Sequence, residues 1–238
     1  MDIRVGCCGF PKSQTAYYTQ FSLVEVQQTF YKPPRVPTVQ RWRQQAPAGF
    51  EFVIKAWQLI THPASSPTYQ QPGLLLDGPA ESYGSFQATP QVMAAWQRTL
   101  ETALALQATV ILFQCPPSLG PSLENITNLV RFFTRVERRG LSFAWEPRGP
   151  WPEKTIARLC QEVDLIYATD PFVKRPAPGS VAYFRMHGKS GYAYRYRDDD
   201  LRQLLTWCHD YDRVYCLFNN ASMWEDSLRF DQMVAAET

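Results

Sequence analysis

No stretch of this sequence stays apolar for the ~18 residues that a membrane-spanning helix needs, so no transmembrane anchor is expected. The opening residues Met1-Asp2-Ile3-Arg4-Val5-Gly6 lack the apolar centre of a signal peptide and begin at once with a strand-like pattern. A cytoplasmic protein with reduced thiols is therefore expected. None of the 6 cysteines (Cys7, Cys8, Cys115, Cys160, Cys208 and Cys216) belongs to a Cys-x-x-Cys pair. They read as small buried hydrophobes, with a catalytic Cys7 or Cys8 at a strand end as the minor alternative. Charge is sparse and balanced: charged residues make up 19% of the chain and the net charge is +2. No global basic field therefore advertises nucleic-acid binding. The 3 histidines, His62, His187 and His209, show neither His-x-His nor His-Glu-x-x-His spacing, so no metal motif is encoded. Also missing is a Gly-x-Gly-x-x-Gly after the first strand, which counts against an open dinucleotide-binding sheet.

What is present is alternation. The chain has 238 residues, 45% of them hydrophobic and 14% aromatic, enough to bury a sizeable core. Short apolar runs at Ile3–Cys8, Leu23–Gln27, Phe50–Ala56, Val110–Gln114, Leu141–Trp145, Asp164–Ala168, Val181–Met186 and Val214–Phe218 predict eight strands. Helices are predicted over Thr38–Gln45, Pro90–Ala108, Ser122–Arg139, Pro152–Glu162, Asp198–Tyr211 and Ser222–Ala235. In the second of these Val92, Trp96, Leu100 and Leu104 recur at i, i+4 spacing. The third has Ser122 as N-cap and Gly140 as C-cap. The crossovers Thr15–Phe21 and Pro171–Gly179 are too short or too proline-broken for good helices. Strand–helix alternation argues for a parallel sheet, and eight strands argue for closure. The fold class expected is α/β, a TIM-like (β/α) barrel of one domain over 1–238, with an irregular outer ring. Pro63–Pro90, rich in Pro, Ser, Gln and Gly, would be a long loop after the third strand, either a lid or disordered.

Strand parity then sorts side chains. Phe52 and Ile54 oppose Val53 and Lys55; Phe143 and Trp145 oppose Ala144 and Glu146; Phe184 and Met186 oppose Arg185 and His187. One face is bulky and apolar. The other ends in a polar group at the carboxyl end of the strand, where barrel active sites lie. Glu25, Lys55, Gln114, Glu146, Arg185, His187 and Asn219 are expected to converge on one mouth. A self-neutralising polar plug is the bland alternative, but buried ion pairs add little stability. The loop His187-Gly188-Lys189-Ser190-Gly191 suits a phosphate, though a plain Gly-rich turn is as good a reading. Tyr192-Ala193-Tyr194-Arg195-Tyr196-Arg197 could stack bases and pair phosphates, or simply cover the rim. Glu25, Glu146, Asp170 and His187 could supply hard oxygen and imidazole ligands to a metal, without a supporting spacing.

Several of these segments together resemble one family. They are Val5-Gly6-Cys7-Cys8-Gly9-Phe10, Val24-Glu25-Val26-Gln27-Gln28-Thr29-Phe30-Tyr31, Phe52-Val53-Ile54-Lys55-Ala56 with Ile60-Thr61-His62, Leu112-Phe113-Gln114-Cys115-Pro116-Pro117-Ser118, Trp145-Glu146-Pro147-Arg148, Phe184-Arg185-Met186-His187-Gly188 and Phe218-Asn219-Asn220. In that order they resemble the YecE-like family, domain of unknown function 72, over nearly the whole chain. The resemblance implies a barrel of the kind shared with sugar isomerases and an apurinic-site endonuclease, and no reaction. It places polar motif positions at Glu25, Lys55, His62, Gln114, Glu146, Arg148, Arg185, His187, Asn219 and Asn220. The chain departs from the family pattern at Gln27 (an asparagine there), Gly149 (a histidine) and Ala221 (an aspartate), as in a divergent branch.

Three functions compete, the third of them an interaction protein that uses the Pro63–Pro90 loop. In the first, a hydrolase or isomerase uses Glu25, Lys55, Glu146 and His187 as catalytic groups. His62, Gln114, Arg148, Arg185, Lys189, Ser190, Asn219 and Asn220 then hold a small anionic, phosphate-bearing substrate such as a nucleotide, nucleic acid or sugar. In the second, the same surface binds nucleic acid or a nucleotide without chemistry. No membrane partner is expected. The sequence identifies no cofactor and no oligomeric state.

Overall fold

The structure is a computed structural model and describes residues 1–70, 74, 76–177 and 179–237. Eight strands run in chain order around a closed barrel: β1 (Asp2–Cys8), β2 (Leu23–Val26), β3 (Glu51–Lys55), β4 (Val110–Gln114), β5 (Ser142–Glu146), β6 (Ile166–Thr169), β7 (Gly179–Met186) and β8 (Tyr211–Phe218). Every strand expected from the sequence forms. The described helices are α1 (Gln14–Tyr18), α2 (Gln28–Tyr31), α3 (Val36–Gln45), α4 (Gln58–Thr61), α5 (Pro90–Leu106), α6 (Leu123–Arg135), α7 (Glu153–Glu162), α8 (Asp198–Cys208) and α9 (Met223–Glu237). Between β6 and β7 no described residue is helical, and α1 is a single short turn. The irregular outer ring therefore forms as expected. No helix among the described residues is long and apolar enough to cross a membrane.

Two helices correct the sequence expectation. Leu104 is 43% exposed although Trp96 beside it on the stripe is buried. An i, i+4 row precesses by about 40° per step on a 3.6-residue helix, so after three steps it has left the core. Thr99, Ala103 and Leu106 take its place. α6 stops at Arg135, with Val136 already extended as its C-cap, and Gly140 closes a separate turn through Leu141 N–H to Arg138 O at 2.9 Å.

The described residues form two compact units. The first, Met1–Val26, Ala46–Phe52 and Tyr167–Thr238, holds β1, β2 and β6–β8 with α1, α8 and α9. Here β8 is the central strand, parallel to both β1 and β7. Tyr17 ties α1 down, taking the Cys7 N–H on its hydroxyl and giving its proton to Leu23 O. The second, Gln27–Gln45 and Val53–Ile166, holds β4 and β5 with α2–α7. Its core is a ring cluster of Phe86, Trp96, Phe113, Phe132, Phe133 and Phe143. Of the long 63–90 loop, residues 71–73 and 75 lie outside the described residues. The remainder is built of turns, including 3-10 turns at Pro67–Gln70 and Ala80–Ser82.

Candidate functional site

In the first unit the parity argument places Glu25 and Arg185 in one buried cluster. Arg185 donates from Nε and Nη2 to the two Glu25 oxygens at 3.0 and 2.7 Å, and neither side chain is exposed. Tyr183, two residues before Arg185 on β7, donates its hydroxyl to Glu25 Oε2 at 2.7 Å. Burial, then the Glu25 carboxylate, pushes the Tyr183 phenol well above its ordinary value. Outward along the same parity lies His187, whose side chain is 27% exposed. Its Nε2 is 3.2 Å from Arg185 Nη1. A guanidinium only donates, so Nε2 accepts and the ring proton sits on Nδ1. That nitrogen lies 3.6 Å from Asp170 Oδ2, which also takes the His187 backbone N–H at 2.8 Å. Glu25, Arg185, His187 and Asp170 thus form one contiguous polar chain running from the core outward.

The loop after β7 is heavily used within the protein. Gly188 N–H donates to Tyr196 Oη and Gly191 N–H to Gly188 O. Lys189 Nζ is 2.8 Å from Asp200, while Ser190 is exposed. Tyr196 is buried and the Tyr194 hydroxyl donates to Asp200 at 2.6 Å. Of the three interleaved tyrosines only Tyr192 is exposed. Asn219 continues the ladder with its N–H on Met186 O. Asn220 is buried, donating to Tyr194 O and to Asp226.

In the second unit Lys55 ends β3, 5% exposed, with its Nζ 4.0 Å from the centre of the Phe30 ring. Thr29 fixes the strand end by donating its hydroxyl to Lys55 O at 2.8 Å. His62 follows α4 and packs edge-on against the same Phe30 ring, centroids 4.9 Å apart. Its Nδ1 is 2.8 Å from the Thr61 hydroxyl. Burial, then the charges of Lys55 and Arg148, lower the His62 pKa to about 4. Glu146 ends β5, 4% exposed, in register with Gln114 of β4. Arg148 donates from Nε to Glu146 Oε1 at 2.8 Å, its own side chain about one-third exposed at 34%. Lys55, His62, Glu146 and Arg148 are thus a cluster of buried or half-buried charge beside a neutral imidazole.

The histidine that the family pattern carries after its arginine cannot be accommodated. A Cβ at Gly149 would lie 2.2 Å from Leu119 O. Phe30, Thr61, Tyr183 and Asp170 belong to these clusters as well. Tyr183 has the parity of Arg185 and His187, and that signal alone would have found it. All six cysteines are free, and all but Cys160 are buried. Among the described residues no group of three or more His, Cys, Asp or Glu side chains is placed to hold a metal ion.

A family model described as "Protein of unknown function DUF72" matches residues 11–238. The chain is 23% identical over 249 residues to the UPF0759 protein YunF of Bacillus subtilis, covering 89% of this chain and 81% of that one. A crystal structure of a DUF72 family protein of Enterococcus faecalis superposes with a TM-score of 0.71 at 18% identity, over 98% of this chain and 95% of that one. The fold is also shared with D-psicose 3-epimerase (TM-score 0.63, 10% identity, 99% of both chains). Endonuclease IV of Thermus thermophilus shares it too (TM-score 0.55, 12% identity, 99% of this chain and 98% of that one).

Proposed function

This chain belongs to the DUF72 family, and on that footing we propose that it is an acid–base enzyme, a hydrolase or isomerase, acting on a small phosphate-bearing substrate. One observation carries the proposal: Lys55, Glu146 and Arg148 gather at strand ends beside a neutral, buried His62. Desolvated charges cost stability that an apolar substitution would not, and several collected in one place mark a functional site. In that cluster Lys55 and Arg148 hold the phosphate, and Glu146 is the general base. In the first unit Glu25 and Tyr183 hold Arg185 and hence His187 in place, with Asp170 behind it. Lys189 and Ser190 take the lesser part, because the amides around them are already bonded within the loop. Fold neighbours named as an epimerase and an endonuclease support sugars and nucleic acids as substrate classes, by shared architecture alone.

The test is a panel of sugar phosphates, nucleotides and abasic oligonucleotides assayed for isomerisation and for phosphate-ester hydrolysis. Glu146→Gln should melt like the parent and abolish any turnover found; unchanged turnover removes Glu146 from the chemistry. The alternative, a non-catalytic nucleic-acid or nucleotide binder, draws on the exposed Tyr192, Arg195 and Arg197. Its mark would be an affinity falling steeply with salt and indifferent to Glu146→Gln.

A further inference from the structure

His62 has one ring nitrogen in use. Nδ1 meets the Thr61 hydroxyl, whereas Nε2 has no hydrogen-bond partner among the described residues, although the residue is only 4% exposed. The charged groups around it are Lys55, whose Nζ lies over the same Phe30 ring that His62 packs against, and Arg148, from beyond β5. Glu146 reaches this set through its pair with Arg148. From the loop side comes Tyr69, whose hydroxyl donates to His62 O at 2.8 Å and whose phenol burial raises. An imidazole with an open nitrogen beside two cations is poised for one event. Burial is the main cause of the lowered value and the two cations add to it; an anion docked there cancels the cations and gives the ring an acceptor, and both effects favour protonation against the burial.

We propose that docking of a phosphate or sulfate group against Lys55 and Arg148 is coupled to proton uptake by His62, whose Nε2–H then gives the anion a third charge-assisted hydrogen bond. The proton comes from solvent and no covalent bond changes. The inference rests on the phosphate-binding reading of this cluster and adds its regulation: the site selects anions more strongly in acid. By linkage, an anion that raises the pKa of a group binds more tightly as pH falls through the raised value. Free His62 titrates at about 4. If the anion restores it to the ordinary value near ~6.5, affinity at pH 5 exceeds that at pH 7.5 by roughly twenty-five-fold. Below pH 4 the gain is complete, and above pH 7.5 it is absent.

Sulfate is the suitable probe, because it remains a dianion throughout this range whereas phosphate does not. The full chain, 15N-labelled at histidine, is titrated from pH 4.5 to 8 with and without saturating sulfate, following the ring signals. With only 3 histidines, the His62 signal is identified by its loss in His62→Asn, and the wild-type signal itself carries the answer. Calorimetry gives the sulfate affinity at each pH for wild type, His62→Asn and Lys55→Met. The expected result is a His62 midpoint at least one pH unit higher with sulfate. The wild-type affinity should rise about twenty-five-fold between pH 7.5 and 5, and His62→Asn should lose that rise. Sulfate binding that needs Lys55 but leaves the His62 midpoint unmoved overturns the proton coupling and spares the phosphate site. Failure of sulfate to bind, or equal binding to Lys55→Met, overturns both.

Discussion

Arg185 grips Glu25 through two nitrogens of one guanidinium, at 3.0 and 2.7 Å, with both side chains wholly out of solvent. The bond joins β7 to β2 across 160 residues of sequence. Removing one partner leaves the other charged and buried, at a cost of about 3–5 kcal/mol, whereas replacing both with apolar groups of similar volume is often neutral or better. Glu25→Leu alone and Arg185→Met alone should each lower the unfolding free energy by that amount in urea titrations. The double replacement should recover most of the loss. Equal losses in single and double variants would show that packing, rather than the ion pair, sets the cost.

Asp200 organises the loop that follows β7. Its carboxylate takes Lys189 Nζ at 2.8 Å, the Tyr194 hydroxyl at 2.6 Å and the Arg197 N–H at 2.9 Å. Burial by itself raises its pKa, but Lys189, Tyr194 and the Arg197 amide outweigh it and bring the value down to about 2. A depressed folded-state pKa gives stability that is present above the unfolded value near 3.8 and lost as pH falls towards 2. Asp200→Asn should therefore cost about 2 kcal/mol at pH 7. The gap from wild type should narrow between pH 4 and pH 2, read from unfolding curves at each pH.

The barrel was legible because its signals are local. Eight apolar runs separated by helix-length spacers need no knowledge of distant contacts, and β4 follows Val110–Gln114 as expected. Within single strands parity also worked, pairing Glu25 with Arg185 through side chains that the pattern put on one face. What escaped depends on residues far apart in sequence or on backbone geometry. α2 and α4 are 4 residues each, too short for any periodicity. Asp200 reads in sequence as one of three dipole-favouring acids, yet it alone is buried because Lys189 and Tyr194 reach back to it. The Gly-Lys-Ser-Gly run has the composition of an anion loop, but only the fold reveals that Tyr196 already occupies the Gly188 amide.

The cysteines should behave as inert core residues. Burial pushes the Cys7 thiol up to about 11, and Cys115 and Cys160 up to about 12; Cys8 and Cys216 also lie well above their ordinary range. The thiolate is the reactive form, so even at pH 9 about 1% of Cys7 is reactive, by the pKa difference alone. Ellman's reagent should label native protein slowly at pH 8 and reach all 6 cysteines only in denaturant. One rapidly labelled native thiol at Cys7 would revive it as a nucleophile.

Gly84 fixes the carbonyl side of His62. Its φ is +80°, and a Cβ there would sit 2.1 Å from His62 O. Ser85 and Phe86 follow with φ of 50° and 55°, so three successive residues hold a conformation that side chains disfavour. They are held by Gly84 N–H to Leu59 O and Phe86 N–H to Ile60 O, both 2.9 Å, and by Phe86 packed against Phe132 and Phe133. Gly84→Ala can relieve the clash only by lifting this segment from α4, which strains those bonds and loosens Phe86. A loss of more than about 2 kcal/mol is expected. Gly49→Ala meets nothing within 4 Å and should change stability by less than about 0.5 kcal/mol. Because Tyr69 bonds the same carbonyl, the displacement should also reach the imidazole. The His62 midpoint should then rise in Gly84→Ala without any anion, as water gains access to the ring, and stay put in Gly49→Ala. A Gly84→Ala protein of normal stability, with an unshifted His62, would mean that the loop yields freely and has no part in holding the histidine.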